Sequence, residues 1–351
     1  MKLSETRRWL LAVPLALATS MAWSAEPEIE RWSRQQAAAA AHSPAAPPLR
    51  EELSAYLRAG EDAAALALIR ELPGHAGLSA PARESLVLDF VHSLRVEAPG
   101  SVDQVLIDYL LDYPESVMVE HHDHPEHLEP LYGIRSAMAG VTHHWTRHQA
   151  ALEGGTLLRE KPERLASAFM AASDPARRRG LIDAVDTASA RQLSAVIASA
   201  MEQLDHAADL AHLAGHAAVA ARDAASVAQL VTVATGPAIN ETLRLAAARF
   251  DASQQAQVLS AALSSGRTEN AALAIAHLAP GSLLDIRPAL VTQLADPELG
   301  SAAALALARH PSAELRGTLS TIAEREVGLA SHRARLALNL MQTLPEVEAP
   351  R

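Results

Sequence analysis

Apolar residues return at helical spacing along most of the chain. Leu53 and Leu57, then Leu66, Leu68, Ile69 and Leu72, predict two short helices. Leu86, Phe90, Val91 and Leu94 predict a third, and Val105, Tyr109, Leu110 and Tyr113 a fourth, stopped by Pro114. A longer helix is expected over residues 128–152, with Pro130 suited to its first turn. Beyond residue 160 the punctuation becomes regular. Helix starts are expected near Pro175, Ala188, Asp205, Asp223, Pro237, Ala252, Arg267, Ser282, Pro297, Ser312 and Gly328. The spacing is about 15 residues per helix and about 30 per helix pair, the period of stacked two-helix units. No strand pattern of period two stands out at any length.

The best single unit runs Ile286-Arg287-Pro288-Ala289-Leu290-Val291-Thr292-Gln293-Leu294-Ala295-Asp296-Pro297-Glu298-Leu299-Gly300-Ser301-Ala302-Ala303-Ala304-Leu305-Ala306-Leu307-Ala308. It resembles a HEAT repeat, whose pattern is an apolar helix, an Asp-Pro turn, a basic residue and an Ala-rich second helix. Asp296-Pro297 and the run Ala302 to Leu307 match; Gly300 stands where the family usually has a basic residue. Asp174-Pro175 followed by Arg177, Arg178 and Arg179 is a looser echo, and Pro311 before Leu315-Arg316 a third. The resemblance is good over about 25 residues and diffuse over 160–342. It implies an all-α chain of tandem helical hairpins stacked as an α-solenoid, with a binding surface and no shared active site.

Composition narrows this further. The chain has 351 residues, 49% of them apolar but only 3% aromatic. The apolar mass is Ala and Leu, the strongest helix formers, and not the Val, Ile, Tyr and Phe of a sheet core. All four tyrosines (Tyr56, Tyr109, Tyr113, Tyr132) and Trp145 precede residue 150; after it only Phe169 and Phe250 are aromatic. The Ala-rich second half reads as scaffold.

Residues 1–25 have a basic start (Lys2, Arg7, Arg8), an apolar run from Trp9 and an Ala-Trp-Ser-Ala end at Ala25, the pattern of a cleaved secretory signal. The expected product is exported, periplasmic or extracellular and bacterial, without stable membrane insertion after cleavage. Arg7-Arg8 leaves open whether the general or the twin-arginine route is used. Formal net charge is −11, and −13 once the signal is removed. So acidic a chain repels phosphate backbones, which argues against nucleic acid as partner. There is no cysteine, which excludes disulfides, thiolate chemistry and cysteine zinc sites and suits an oxidising compartment. Residues 26–48, rich in Ala and Pro and ending Ser43-Pro44-Ala45-Ala46-Pro47-Pro48, read as a flexible leader with no apolar face to dock it. The expected organisation is signal 1–25, leader 26–48, N-terminal helical region 49–154, repeats 155–345 and tail 346–351.

Chemistry concentrates in one place. Seven of 16 histidines fall between residues 121 and 148. The first group is Glu120-His121-His122-Asp123-His124-Pro125-Glu126-His127-Leu128-Glu129; the second holds His143, His144 and His148. Imidazole and carboxylate are ligands for zinc, nickel or copper, so His121, His122, His124, His127, His144 and His148 are the candidate metal ligands. Pro125 makes the first group a loop or a helix start. His144 and His148, four apart, share one helix face. His127 and His144 would lie roughly 25 Å apart along an unbroken helix, so one ion could serve both groups only if Gly133 or Gly140 broke it. The same imidazoles among Glu120, Asp123, Glu126 and Glu129 also suit a response to mild acid. A weaker stripe, Asp205, Asp209, His212 and His216, would share one helix face.

No Gly-rich phosphate loop, Gly-x-Ser-x-Gly or dinucleotide fingerprint is present, and Gly154-Gly155 reads as a helix terminator. The primary expectation is an exported, non-enzymatic helical-repeat protein acting as a protein–protein interaction scaffold. A second is divalent-metal handling through residues 121–148. A third is an all-α enzyme with its site among the His and Tyr residues.

Overall fold

The computed structural model describes residues 29–325 and 328–343. The expected signal at 1–25 and tail at 346–351 lie outside them. The described chain is mostly helical, with one small sheet. None of its helices is long and apolar enough to cross a membrane. Two compact units divide it: residues up to 94 with 102–138, and residues 95–101 with 139 onward.

The first unit begins with strand β1 (Glu30–Arg31) and helix α1 (Arg34–Ala41). Both lie in the segment expected to be a flexible leader. β1 pairs in parallel with β2 (Val117–Glu120), which pairs antiparallel with β3 (Leu128–Pro130). Ser33 caps α1 through a reciprocal capping box with Gln36. The face that composition seemed to lack is the alanine run itself. Ala37 is fully buried in a cluster with Ala80 and Val117, against which Trp32, Leu131 and Tyr132 pack. Small side chains let α1 approach α4 (Ala80–Leu94), and Ser79 Oγ donates to Ala40 O at 2.7 Å.

Helices α2 (Ala46–Ala59), α3 (Asp62–Glu71) and α5 (Gln104–Leu111) complete this unit, near the predicted positions. The sheet was not predicted. β2 alternates buried Val117 and Val119 with outward Met118 and Glu120, but only over four residues. Its start is fixed from a distance. Glu84 of α4, 1% exposed, accepts from Ser116 N, Ser116 Oγ and Val117 N through one oxygen. Residues 128–130, expected in a helix, are strand β3, and α6 (Ile134–Glu160) starts only after Gly133, whose φ of +56° turns the chain.

In the second unit α6 continues straight through Gly154 and Gly155, expected to end it. Gly154 is a packing position: a Cβ there would lie 2.7 Å from that of Ala184. There follow α7 (Leu165–Ala171), α8 (Pro175–Asp183), α9 (Ala190–Glu202), α10 (Leu210–Ala220), α11 (Ala224–Val233), α12 (Pro237–Arg249), α13 (Ala252–Ser264), α14 (Thr268–Gln293), α15 (Gly300–Ala308), α16 (Ala313–Arg325) and α17 (Leu329–Thr343). Most begin within a few residues of the predicted starts. The break expected near Ser282 is absent: α14 runs on past Pro280 and Pro288. A proline inside a helix costs about 3 kcal/mol. Leu278, Ile286 and Leu290 are all at most 2% exposed, and burying each such side chain returns about 1.5–3 kcal/mol.

Each helix is covered by near neighbours in sequence. α10 packs on α9 and α12, α12 on α14, α11 on α13, α13 on α14, and α15 on α14 and α17. One apolar cluster runs unbroken from Ala150 to Met341. Polar side chains tie helix ends together at a recurring interval. Gln192 donates to Leu158 O, 34 residues back; Gln254 to Arg222 O, 32 back; Arg267 to Thr232 O, 35 back. Asn270, fully buried, donates to Val231 O, 39 back. Arg333 does the same for the C-terminal end of α14, donating to Leu294 O, Asp296 O and Pro297 O. Its guanidinium occupies the space beside Gly300, where an added Cβ would lie 2.6 Å from Arg333 Cζ. Position 300, where a basic residue was expected, thus carries none of its own and has a guanidinium from α17 beside it.

Candidate functional site

The first histidine group forms the connection between β2 and β3. His127 N donates to His124 O at 2.8 Å, closing a turn with Pro125 and Glu126 at its corners, and His121 N donates to His127 O at 3.0 Å. The loop is therefore ordered by its own backbone. His121 Nδ1 accepts from Asp123 N at 3.3 Å, which leaves His121 Nε2 facing Glu129 Oε2 at 3.8 Å. His122 Nε2 lies 3.0 Å from Asp123 Oδ1. His124 Nδ1 and His127 Nε2 lie 3.4 and 3.8 Å from the same oxygen, Glu126 Oε1.

The structure brings some of the predicted ligands together. One donor atom from each of His121, His122 and Asp123 lies within 4.8 Å of the others. His124 follows, its ring 5.7 Å from that of His121. His144 and His148 do not join this group. They stack on α6 with ring centroids 6.5 Å apart, in the second unit. Burial, and then the charge of Arg95, holds the His144 imidazole below its ordinary value. The helix expected over 128–152 does break at Gly133, as a shared ion would require, while Gly140 lies within α6 and does not break it.

Beside the loop lies a groove of about 430 Å³ along β1 and β2, lined by Trp32, Arg34, Met118 and Glu120. Arg34 Nη2 donates to Glu129 Oε1 at 2.6 Å, so Glu129 joins the N-terminal segment to the histidine loop. Residues 26–48, expected to be a leader apart, are thus tied to this region, and the Ser33-to-Gln36 capping box is the local sign of it.

The second unit carries a string of charges across α6, α8, α10 and α12. Arg147 forks onto Asp183 through Nε and Nη2 at 2.5 and 3.0 Å. Arg179 sits 3.6 Å from Asp183 and donates to Glu241 at 2.9 Å, and His212 Nδ1 lies 3.3 Å from Glu241. Asp186 receives His216 at 3.2 Å and Arg249 at 3.2 Å. Asn240 meets His277 of α14 at 2.9 Å. Three members of the predicted stripe are thus spent in cross-helix pairs: Asp209 with Arg178, His212 with Glu241 and His216 with Asp186. Asp205 precedes α10. Burial pushes the Glu241 carboxyl up, but the bonds and charges of Arg179 and His212 outweigh it and hold the group below the usual carboxylate range.

Most partners in this string lie about one or two such intervals apart, Arg147–Asp183 and Asn240–His277 being 36 and 37 residues apart. His212–Glu241, His216–Asp186 and Arg178–Asp209 are 29, 30 and 31 residues apart, and Arg179–Glu241 and Arg249–Asp186 are 62 and 63 apart. Scans against protein-family models, curated proteins and solved structures gave no match to this chain.

Proposed function

We infer that the chain is an exported, non-enzymatic protein whose helical hairpins stack as a HEAT-like solenoid and present one face to another protein. The interval of the polar cross-links carries this reading. Side chains pair one hairpin period apart, or two, and the second unit shares one continuous core. Such quasi-one-dimensional stacking leaves long faces open to a partner. The face bearing Arg147, Arg179, Asp183 and Glu241 is the proposed docking surface, because its charged groups are arranged in fixed register and are a quarter to a half exposed. Export is supported by the pattern of residues 1–25 and the absence of cysteine.

Photo-reactive residues placed at Arg179 and at Arg244, exposed on α12 one turn after Glu241, and at exposed Gln257 and Ser260 of α13 as controls, test the assignment in the cells that make the protein. The expected result is one adduct of defined mass from positions 179 and 244 only. Equal labelling from all four positions, or none from 179 and 244, overturns it.

A further inference from the structure

We propose that the loop joining β2 and β3 is a binding site for a borderline divalent transition-metal ion, held by His121, His122 and Asp123. The three are consecutive in sequence, and the turn at 124–127 and the His121 N to His127 O bond fix the backbone that bears them. Their donor atoms already lie within 4.8 Å of one another. Donors around a tetrahedral ion with bonds of about 2.0–2.1 Å are about 3.3 Å apart. The His122–Asp123 pair is at 3.0 Å, and both side chains are more than 60% exposed and free to turn. Only His121 must be met halfway. Its Nδ1 accepts from Asp123 N–H at 3.3 Å, so the neutral ring carries its proton on Nε2 toward Glu129, and an ion takes the Nδ1 lone pair as that long bond opens.

The donor set is two imidazole nitrogens and one carboxylate oxygen, which suits copper(II), nickel(II) and zinc(II) over calcium or magnesium. Three protein ligands leave one position for water or another ligand, unlike closed four-ligand structural sites. Glu129, 3.8 Å from His121 Nε2, is the nearest further carboxylate, and its other oxygen is held by Arg34. An ion on His121 therefore also bears on the docking of the N-terminal segment. This inference does not rest on the scaffold reading, which concerns the other unit.

Protein purified without a polyhistidine tag is titrated with copper(II), nickel(II) and zinc(II) against a chromogenic competitor. The expected result is one ion per chain, tightest for copper, as the ordinary affinity order requires. H121A/H122A should weaken binding at least 10-fold with an unchanged helical circular-dichroism spectrum, and D123N should weaken it less. H144A/H148A should bind as the wild type does. Wild-type affinity in H121A/H122A, loss of binding only in H144A/H148A, or no ion bound below 100 µM would each overturn the proposal.

Discussion

Gly180 of α8 sets how closely α6 and α8 approach, and its replacement by alanine tests the packing beneath the charged string. A Cβ at 180 would fall on the carbonyl oxygen of Arg147, 2.7 Å from Ala150 Cβ and 2.9 Å from the Arg147 carbonyl carbon. Two of these three atoms are backbone of α6, so no rotamer change relieves the clash and the helices must separate. Overpacking of this kind costs about 1–3 kcal/mol, with contact against backbone at the upper end. Alanine offsets about 1 kcal/mol through its better helix propensity. The net expectation is a loss of about 1–2 kcal/mol. Gly317 of α16 is the control: it is exposed, and a Cβ there would meet nothing within 4 Å. G317A should gain up to about 1 kcal/mol from propensity alone. The same substitution thus has opposite signs at two helical glycines. Melting followed at 222 nm reads the difference, since 1 kcal/mol moves the midpoint by about 2–4 °C in a unit of this size. If G180A melts at or above the wild-type midpoint, the close α6–α8 contact is wrong.

R333A should destabilise by about 2–4 kcal/mol, because it leaves three carbonyls at the end of α14 without their charged donor; urea titration measures this, and a cost under 0.5 kcal/mol would contradict it. Burial raises the Glu84 carboxyl above its ordinary value despite the bonds from Ser116 and Val117. The folded state therefore binds this proton more tightly than the unfolded chain, so its contribution is full below about pH 4.5 and is lost as pH rises through the raised value. E84Q should flatten that decline and melt at or above wild type at pH 7; an unchanged pH slope would show that Glu84 does not titrate this way. Mass spectrometry of the exported protein should find an N-terminus at Glu26, and retention of residues 1–25 would remove the export argument.

The helices were legible where single residues punctuate them. Pro175, Pro237 and Ala252 begin α8, α12 and α13 as read, because fixed proline geometry and side-chain caps act locally. The start near Ser282 was misread because burial of α14 outweighs its prolines, which is a tertiary effect. β2 was missed because its strand state depends on pairing with residues 30–31 and on Glu84, 32 residues away. Pro125 marked the histidine segment as a loop or a helix start, and it is the loop between β2 and β3. Which histidines converge was not legible, since that depends on the turn closed by His127 N and His124 O. Of the four residues expected on one helix face only His212 and His216 lie within α10, and their pairing with Glu241 and Asp186 was not legible because the partners stand about 30 residues away along the chain.

That regular distance also constrains how the second unit can change length over evolutionary time. Removing a whole hairpin would bring each remaining donor against the helix end one period earlier, with its handedness and side preserved. Removing a single helix would set Gln254, Arg267 or Arg333 against a helix start in place of a helix end, with a donor, cationic for the two arginines, facing N–H groups. If the hairpins stack as proposed, variants should therefore differ by multiples of about 30 residues, added or lost as complete pairs.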